Sequence, residues 1–484
     1  MLEVSMRLGM SYPYFKPLRA EDITAIDVKA RQVLAEVGLN IDDPYYLDIL
    51  KEAGARVDKE AGKVWLHGSW LDDKLDLAPP RFTLYSRDGK NDVHMGGYRV
   101  HFGNGGRVFR ILDMGTGGYR ETFLRDIADT ATLVQHLDRI GVYIIACQAH
   151  DVSPEYYHVH DYYHAFNHTT KHVMGGCDTM EGARQMYDLA CLVAEEEEDL
   201  RDRPFVSVIT NPISPLSFNS HTLRVLEFFT QRGIPVTCAT APIAGATAPV
   251  TLAGTLVQMH AEELAAISII QTLSPGAKAL YGAFPTVMDL KTMEISTGSV
   301  EMGMMNASAV QLAKLYDIPI YASGGVTEAK RPDIQAGFEK NFSNLMVAMM
   351  GADFIHLSAG LMDSANSLSY EQLAIDDENI GMIQRILEGI EVSPDTLAFD
   401  TIKDVGPRGH YLMEEHTVNH LHQLFYPSLA ERHSFELWEE KDQPSMLKRS
   451  RVWVRETLEK NREGLLDMKA IHRIRRAFPE LEML

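Results

Sequence analysis

The stretch IPIYASGGVTEAKRPDIQAGFEK, residues 318–340, contains the structural unit that decides the fold. Its apolar start, Ile318 to Ala322, is typical of a buried strand, and it stops at Gly324 and Gly325. A charged loop follows, and Pro332 then precedes a predicted helix. A double glycine leaves open space beside the backbone, so the pattern indicates that something small is admitted there.

The same unit of strand, Gly- or Pro-containing loop and helix recurs from about residue 100. Strands are predicted at 100–106, 142–148, 172–177, 205–211, 235–241, 279–284, 319–325 and 353–360. The matching helices lie near 123–138, 179–195, 219–232, 251–272, 299–316, 333–349 and 370–389, with an additional helix near 154–168. Short apolar strands at crossover spacing predict a parallel α/β fold. A (β/α)8 TIM barrel fits eight such units, and an open doubly wound sheet is the alternative.

The sequences before and after the barrel do not show this repeated unit. Residues 1–98 predict an N-terminal α+β extension, with helices near 20–38 and 43–53 followed by short hairpins. The barrel domain is assigned to residues 99–392, and residues 393–484 to a C-terminal helical extension. We expect the two extensions to support a homo-oligomer.

Composition narrows the classes of partner. A formal net charge of −21 argues against nucleic acid or an anionic membrane as the main partner. The four cysteines lie far apart and fit a reducing compartment. The opening MLEVSMRLGM lacks the apolar core of a signal peptide, and no apolar run approaches the roughly 20 residues of a membrane span. A cytoplasmic protein is therefore predicted.

In a TIM barrel, catalytic groups lie at the carboxyl ends of the strands. The candidates at these positions are Asn104, Gln148, His150, Cys177, Asn211, Phe284, Gly324, Gly325, His356 and Ser358. No P-loop, nucleophile elbow or strand-end lysine occurs among them. Four histidines lie on the helix near 154–168: His158, His160, His164 and His168. They could hold a metal ion, but a helix face of polar, partly exposed aromatic residues is the favoured interpretation, and no metal is predicted.

Aromatic side chains are common near these strand ends, although each one alone is as compatible with a core position. They are Tyr98, Phe102, Tyr281, Phe284, Tyr321 and Phe354. Together they suit a cationic ligand that needs π faces and a dry environment.

Several long segments resemble the trimethylamine methyltransferase family, in its branch without pyrrolysine. They are ARQVLAEVGLNI, LAPPRFTLYSRD, HFGNGG, DMGTGGYRETFLRDIADTATLVQHLD, YASGGVTEAKRPDIQAGFEK and GPRGHYLMEEHT. The resemblance implies a barrel that transfers a methyl group from an amine to a corrinoid carried by a separate small protein, with no tightly bound cofactor of its own. It also implies a quaternary amine substrate, notably glycine betaine, with proline betaine, carnitine and γ-butyrobetaine as alternatives.

We place the site hypothesis on the strand ends. His356 is the main candidate, because a polar ring inside an apolar strand is unfavourable unless it is used or hydrogen-bonded; a satisfied core histidine is the alternative. Asn104, Gln148 and Asn211 are predicted to line the polar part of the pocket, and Tyr98, Tyr281 and Phe284 its aromatic cage. Gly324 and Gly325 would provide space, and Arg331 could reach a substrate carboxylate or simply be solvated.

Two other functions remain open at this stage. A phosphosubstrate aldolase or decarboxylase barrel could use the Gly324–Gly325 loop for phosphate. A betaine-binding protein without catalytic activity is the second alternative.

Overall fold

Eight parallel strands form a closed barrel in this computed structural model, which describes residues 15–194 and 197–482. The strands β1 to β8 are His101–Asn104, Val142–Ile144, His172–Gly175, Val206–Thr210, Val236–Thr240, Ala279–Ala283, Ile320–Ser323 and Phe354–Ala359. Strand β8 pairs with β1 to complete the circle. The predicted (β/α)8 barrel is confirmed; the segment MLEVSMRLGM lies outside the described residues.

One long helix follows each strand and covers the outside of the barrel. These helices, α1 to α8, are Leu124–Gln135, Tyr157–His168, Met180–Ala194, Ser220–Thr230, Leu252–Leu273, Val300–Lys314, Ile334–Met349 and Tyr370–Glu388. The helix predicted as an addition to the second unit is α2, which makes the crossover from β2 to β3. Its four histidines are buried rather than partly exposed.

The barrel interior is filled from its amino-terminal end. Leu280, Tyr321 and Phe354 form one buried cluster with residues of a hairpin from the N-terminal extension, Phe82–Leu84 paired with Val93–Met95. Beside that hairpin, the Gly96 amide donates to Asp353, which directly precedes β8. The hairpin therefore plugs the amino-terminal end and leaves the carboxyl-terminal end for a site.

The space beside the double glycine after β7 is filled by neighbouring parts of the chain. Gly325 has a φ of +69°, and a Cβ there would lie 2.4 Å from the Ser358 carbonyl oxygen. A Cβ on Gly324 would lie 2.7 Å from the Asn344 side chain on α7. The prediction that these glycines make room for a ligand is wrong, because the space is taken by α7 and β8, and no phosphate cradle remains there.

Short elements complete the chain on both sides of the barrel and in its loops. The N-terminal extension contains helices Ala20–Gln32, Pro44–Glu52 and Gly68–Leu75, a π-helical turn Val33–Val37, and strands Leu39–Ile41, Arg56–Asp58 and Lys63–Trp65. The C-terminal extension contains helices Phe399–Val405, Glu415–Asn419, Phe435–Glu440, Met446–Lys460 and Met468–Ala477, and the 3-10 turn Leu421–Gln423. Loop strands are Arg110–Leu112, Tyr119–Glu121, Ser217–Phe218, Ile243–Ala244, Thr286–Asp289, Glu294–Ser296, Leu361–Met362 and Ser367–Leu368, and Glu197–Asp202 is a short helix.

A buried polar group attaches the N-terminal extension to the barrel. His260 on α5 contacts the Tyr281 hydroxyl at 2.9 Å and Asp27 at 3.1 Å. Asp27 also accepts a hydrogen bond from Tyr316. The extension is thus held on the helix layer, although its boundary at residue 98 stays a prediction, as does the boundary at 392. Within the described residues, no helix is both long and apolar enough to cross a membrane.

A buried ion pair holds the ends of β7 and β8 together. Lys340 on α7 lies 3.1 Å from Asp376 on α8, and its amine also donates to the carbonyl oxygens of Gly325 and Leu361. Removing one partner of such a pair leaves an uncompensated polar group in the core.

We therefore expect Lys340→Met to lower the free energy of unfolding by about 3–5 kcal/mol, measured by urea denaturation. Lys330→Met is the matched control, because Lys330 forms an exposed pair with Asp363, and we expect a loss of no more than about 1 kcal/mol. Equal losses in the two variants would contradict this account.

Candidate functional site at the barrel mouth

A cavity of about 480 Å³ lies at the carboxyl-terminal ends of the strands. Its lining comes from loops and strands all around the barrel, and the order of the strands divides it into two halves. Phe284, Tyr321 and His356 come from β6, β7 and β8, which are adjacent. Polar residues come from the units of β1 to β4, on the opposite arc: Arg107, Asp161, Asp178, Asn211, Asn219 and His221.

The aromatic half is built around His356. Its ring stacks on Tyr321 with centroids 3.7 Å apart and meets Phe284 edge-on at 5.9 Å. The Ser323 hydroxyl donates to the Ala283 carbonyl, so it accepts from Nε2 of His356. Nδ1 of His356 therefore carries the lone pair, and it has no hydrogen-bond partner. Burial lowers the pKa of His356 well below its usual value, which keeps the ring neutral.

The polar half is organised by one ion pair. Arg107 donates to both carboxylate oxygens of Asp178, at 2.8 and 2.6 Å, and Tyr157 donates to the same carboxylate. Burial alone would raise the pKa of Asp178, but the hydrogen bonds from Arg107 and Tyr157 outweigh it and lower that pKa to about 2. Asp178 is therefore ionised, and Arg107 is a fixed cation at the cavity wall.

Asp161 on α2 is a second acid in this half, in a different state. Burial raises its pKa well above the usual value, with Arg107 opposing the shift, and its Oδ1 atom has no hydrogen-bond partner. This shift favours the neutral carboxyl, whose hydroxyl would be a donor that lacks an acceptor. Asp161 thus offers a hydrogen bond to a bound ligand.

The amino end of α4 adds to this positive character. Asn219 caps the helix by accepting a hydrogen bond from the Thr222 amide at 2.8 Å, and both residues line the cavity. The positive end of the helix dipole therefore lies at the polar half and favours an anionic group there.

Three of the predicted site residues line the cavity: His356, Phe284 and Asn211. The Asn211 amide donates to the Ala239 carbonyl at 2.7 Å, which leaves one of its two N–H groups for a ligand. Gln148 lies behind the wall, where its oxygen accepts from Arg107 at 3.3 Å. Its position supports Arg107 and does not contact the cavity.

Two other predicted residues serve the barrel itself. The Asn104 side chain donates to the Ile144 carbonyl and accepts from the Ile144 amide, so it joins β1 to β2. The Tyr281 ring faces outward to His260 because side chains alternate along a strand, and Leu280 takes the inward position. Neither residue lines the cavity, contrary to the prediction.

Tyr98 and Arg331 also lie away from the cavity. Tyr98 precedes β1 at the amino-terminal end of the barrel, where Lys314 lies 4.9 Å from the centre of its ring. Its side chain is largely exposed, so it cannot belong to an aromatic cage at the other end. Arg331 is exposed in the loop before α7 and is not among the lining residues.

Sequence reasoning missed Arg107 and Asp161 as site residues, and it named Tyr321 among the aromatic side chains near the strand ends without placing it in the cage. Arg107 follows the GNGG run of β1, so its strand-end position was a usable signal. Asp161 sits inside the aromatic helix α2, where the histidines drew the metal hypothesis. Those histidines bind backbone groups instead: His160 and His164 contact Glu482, and His158 accepts from the Asp178 amide.

Cys177 is the one thiol among the lining residues. Burial raises the pKa of its thiol to about 12, so the reactive thiolate is absent at neutral pH. A second cavity of about 900 Å³ adjoins the first at Phe284 and has an acidic lining that includes Asp289, Glu294, Glu328 and Asp363. The site therefore offers binding and orientation, and an open approach from the loops of β5 to β8.

The fold and the site together define a TIM barrel whose carboxyl-terminal mouth contains a cavity with an aromatic half and a polar half. Residues 3–478 match the model of the trimethylamine methyltransferase (MTTB) family. The chain belongs to this family of methylamine and betaine methyltransferases, and it is a methyltransferase.

Named relatives cover most of the chain. Trimethylamine methyltransferase MttB of Desulfitobacterium hafniense (strain DSM 10664 / DCB-2) is 36% identical over 418 residues, which are 86% of this chain and 84% of that protein. Trimethylamine methyltransferase MttB of Methanosarcina thermophila is 33% identical, over 86% of this chain and 87% of that protein. Glycine betaine methyltransferase of D. hafniense (strain Y51) is 29% identical, over 89% and 90%.

Among solved structures, the hydroxylamine complex of MtmB has a TM-score of 0.54 at 12% identity, and the match covers 96% of this chain and 92% of that chain. At this level of identity the likeness concerns the fold alone, and it agrees with the barrel described above.

Proposed function

We propose that this protein demethylates a quaternary amine, glycine betaine in the first place, by transferring one methyl group to the cobalt(I) corrinoid of a partner protein. The observation that carries the proposal is the two-sided cavity, with an aromatic arc facing an arc that holds the Arg107–Asp178 ion pair, the Asp161 carboxyl with its raised pKa and a helix amino end. A betaine has the matching charges, a quaternary ammonium at one end and a carboxylate at the other.

The aromatic half suits the ammonium end. Phe284, Tyr321 and the neutral His356 present π faces and a lone pair in a buried setting, and each cation–π contact contributes about 0.5–2 kcal/mol. A protonated histidine here would repel the ligand, so the lowered pKa of His356 supports this role.

The polar half suits the carboxylate. Arg107 and the Asp161 hydroxyl provide donors, and the amino end of α4 adds a favourable field. Binding at both ends holds the molecule in one orientation, and this contributes to rate by fixing the direction in which a methyl group faces the acceptor.

Methyl transfer from a quaternary amine needs no acid or base from the chain. The bonding electrons of the C–N bond stay on nitrogen, so the amine leaves as a neutral tertiary amine and takes up no proton. Reduced corrinoid, when its carrier protein docks, supplies the electron pair that forms the new bond to carbon. The residues of this chain bind, orient and exclude water, in keeping with a cavity in which the Cys177 thiol and the His356 imidazole are both neutral.

Proline betaine, carnitine and γ-butyrobetaine share the two charged ends and differ in length or bulk between them. Trimethylamine, named for several relatives, has no carboxylate and would leave the polar half without a partner. We therefore rank betaines above trimethylamine as substrates. We also propose that the protein is cytoplasmic and acts with a corrinoid partner protein.

Methyl transfer is tested by mixing the protein with its reduced corrinoid protein and each of these amines, and following the loss of cobalt(I) absorbance. We expect turnover with a betaine, and a fall in kcat/KM of about 10- to 100-fold in His356→Ala, because the ring that orients the ammonium is lost. His150→Ala is the matched control, since that strand-end ring bonds the Thr122 carbonyl outside the cavity, and it should leave kcat/KM unchanged.

Equal activity of His356→Ala and the parent would contradict the site. Betaine binding without any change at cobalt would favour a betaine-binding protein, and no binding of any quaternary amine would contradict both functions.

The protonation of Asp161 makes betaine binding depend on pH. Its neutral form donates to the substrate carboxylate, and its anion repels it, so affinity is full below the raised pKa and falls as pH rises through it, by up to about tenfold per pH unit. A quaternary betaine has no proton to lose in that range. We expect calorimetry over a series of rising pH values to show this fall, with Arg107 and Asp178 keeping constant charge.

Asp161→Asn is the control, because the amide keeps a neutral donor and cannot ionise, and its affinity should stay flat with pH. The same pH dependence in Asp161→Asn, or an affinity that rises with pH in the parent, would contradict this role.

We also propose that the protein forms a homo-oligomer, in which a second copy of the chain covers part of the C-terminal extension. This segment exposes large apolar side chains to an unusual degree, among them Ile390, Phe399, Leu412 and Met413, each at least 72% exposed. Light scattering should give a mass that is a multiple of 54.2 kDa, and a strict monomer would contradict the proposal.

A further inference from the structure

The C-terminal extension has almost no core of its own over a long stretch. Between Glu388 and Ser450, Leu429 is the one buried residue. The stretch is fastened near Leu429, where the Glu378 carboxylate accepts hydrogen bonds from the backbone amides of Ser428, Leu429 and Ala430. A segment that buries so little apolar surface needs another stabilising link to hold one conformation.

Three side chains of metal-binding type meet inside this stretch. Asp395, His416 and His420 place one ligand atom each within 4.8 Å of one another. The two imidazole rings stand one helical turn apart and stack with centroids 4.1 Å apart. Nε2 of His420 lies 3.2 Å from Oδ2 of Asp395, and Nε2 of His416 lies 3.2 Å from the Asp395 carbonyl oxygen.

The hydrogen bonds select the ring nitrogen that faces this point. Nδ1 of His420 donates to the His416 carbonyl at 2.8 Å, so in the neutral ring the lone pair is on Nε2. This lone pair faces the Asp395 carboxylate, and two acceptors in contact require a cation between them. A backbone carbonyl that binds the other ring nitrogen is the arrangement found behind metal-bound histidines.

A proton on His420 and an N–H on Nε2 of His416 would satisfy these two contacts one at a time, whereas one metal ion accounts for the convergence of all three side chains. Ligand atoms around a tetrahedral zinc ion lie roughly 3.3 Å apart, since the bonds are about 2.0–2.1 Å long. The 3.2 Å separation between Nε2 of His420 and Oδ2 of Asp395 agrees with that spacing, and the ligand atom of His416 lies within 4.8 Å of both.

We propose that Asp395, His416 and His420 bind one divalent transition-metal ion of the zinc class in the C-terminal extension. Two imidazole nitrogens and one carboxylate oxygen form a donor set suited to zinc and to its nickel and cobalt neighbours, and unsuited to magnesium. Water completes the fourth position. The site lies in the extension and not at the strand ends, on which the expectation of no metal was based.

The ion would link the loop that contains Asp395 to the helix Glu415–Asn419. Because that loop follows the end of α8 and the helix leads on to Leu429, the link closes the part of the segment that lacks a core. Its role is therefore structural, and it is independent of the proposed methyl transfer.

Metal analysis of the full-length protein without a histidine tag tests the site. After incubation with zinc and gel filtration, we expect about one zinc per chain in the parent and less than about one tenth in His420→Ala and in Asp395→Asn. His422→Ala is the matched control, because its ring lies 6.1 Å from His420 and outside the group, and it should retain about one zinc. Magnesium should not bind in a parallel titration.

Limited proteolysis gives a second measurement. Removal of zinc by a chelator, or the His420→Ala substitution, should speed cleavage between residues 389 and 445, while circular dichroism of the barrel stays the same. A parent protein that retains no zinc, or a His420→Ala variant that retains as much as the parent, would overturn the proposal and identify a hydrogen-bonded histidine pair.

Discussion

Strands β1 and β2 meet at a thin seam of the barrel, where the strand ladder has the single pair Gly103 and Val142. The Asn104 amide completes this seam by bonding both the amide and the carbonyl of Ile144, as a neighbouring backbone would. Closure here brings Arg107 and His356, which are far apart in the chain, to the same cavity. The site depends on this closure because no single segment of the chain contains both of its halves.

Closure of the barrel also places aromatic and polar residues on opposite sides of the cavity. Adjacent strands β6 to β8 contribute aromatic rings, and the units of β1 to β4 contribute polar groups. The order of the strands therefore separates the aromatic side from the polar side of the cavity. Burial and ion pairing then shift the pKa values of the lining residues in different directions. Arg107 holds Asp178 as an anion, whereas burial raises the pKa of Asp161 and lowers that of His356, which favours the neutral form of both.

The repeated unit predicted the barrel well, because strand and helix periodicity are local properties of the sequence. It was harder to predict which side chains point into the barrel and which point outward to the helices. Strands buried on both faces show no polar alternation, so nothing in the sequence distinguished the outward Tyr281 from the inward Tyr321. His356 was predicted correctly to lie at the cavity, since a polar ring in an apolar strand stands out. Asp161 was missed because it lies on a helix, and the partner of Gly325 was missed because Ser358 and Asn344 come from other elements.

The central claim is that the two halves of one cavity hold the two ends of a betaine. A crystal structure of the protein with glycine betaine tests it most directly. We expect the trimethylammonium group to lie against Phe284, Tyr321 and His356, with the carboxylate directed to Arg107 and Asp161. A reversed orientation, or a betaine bound outside this cavity, would contradict it.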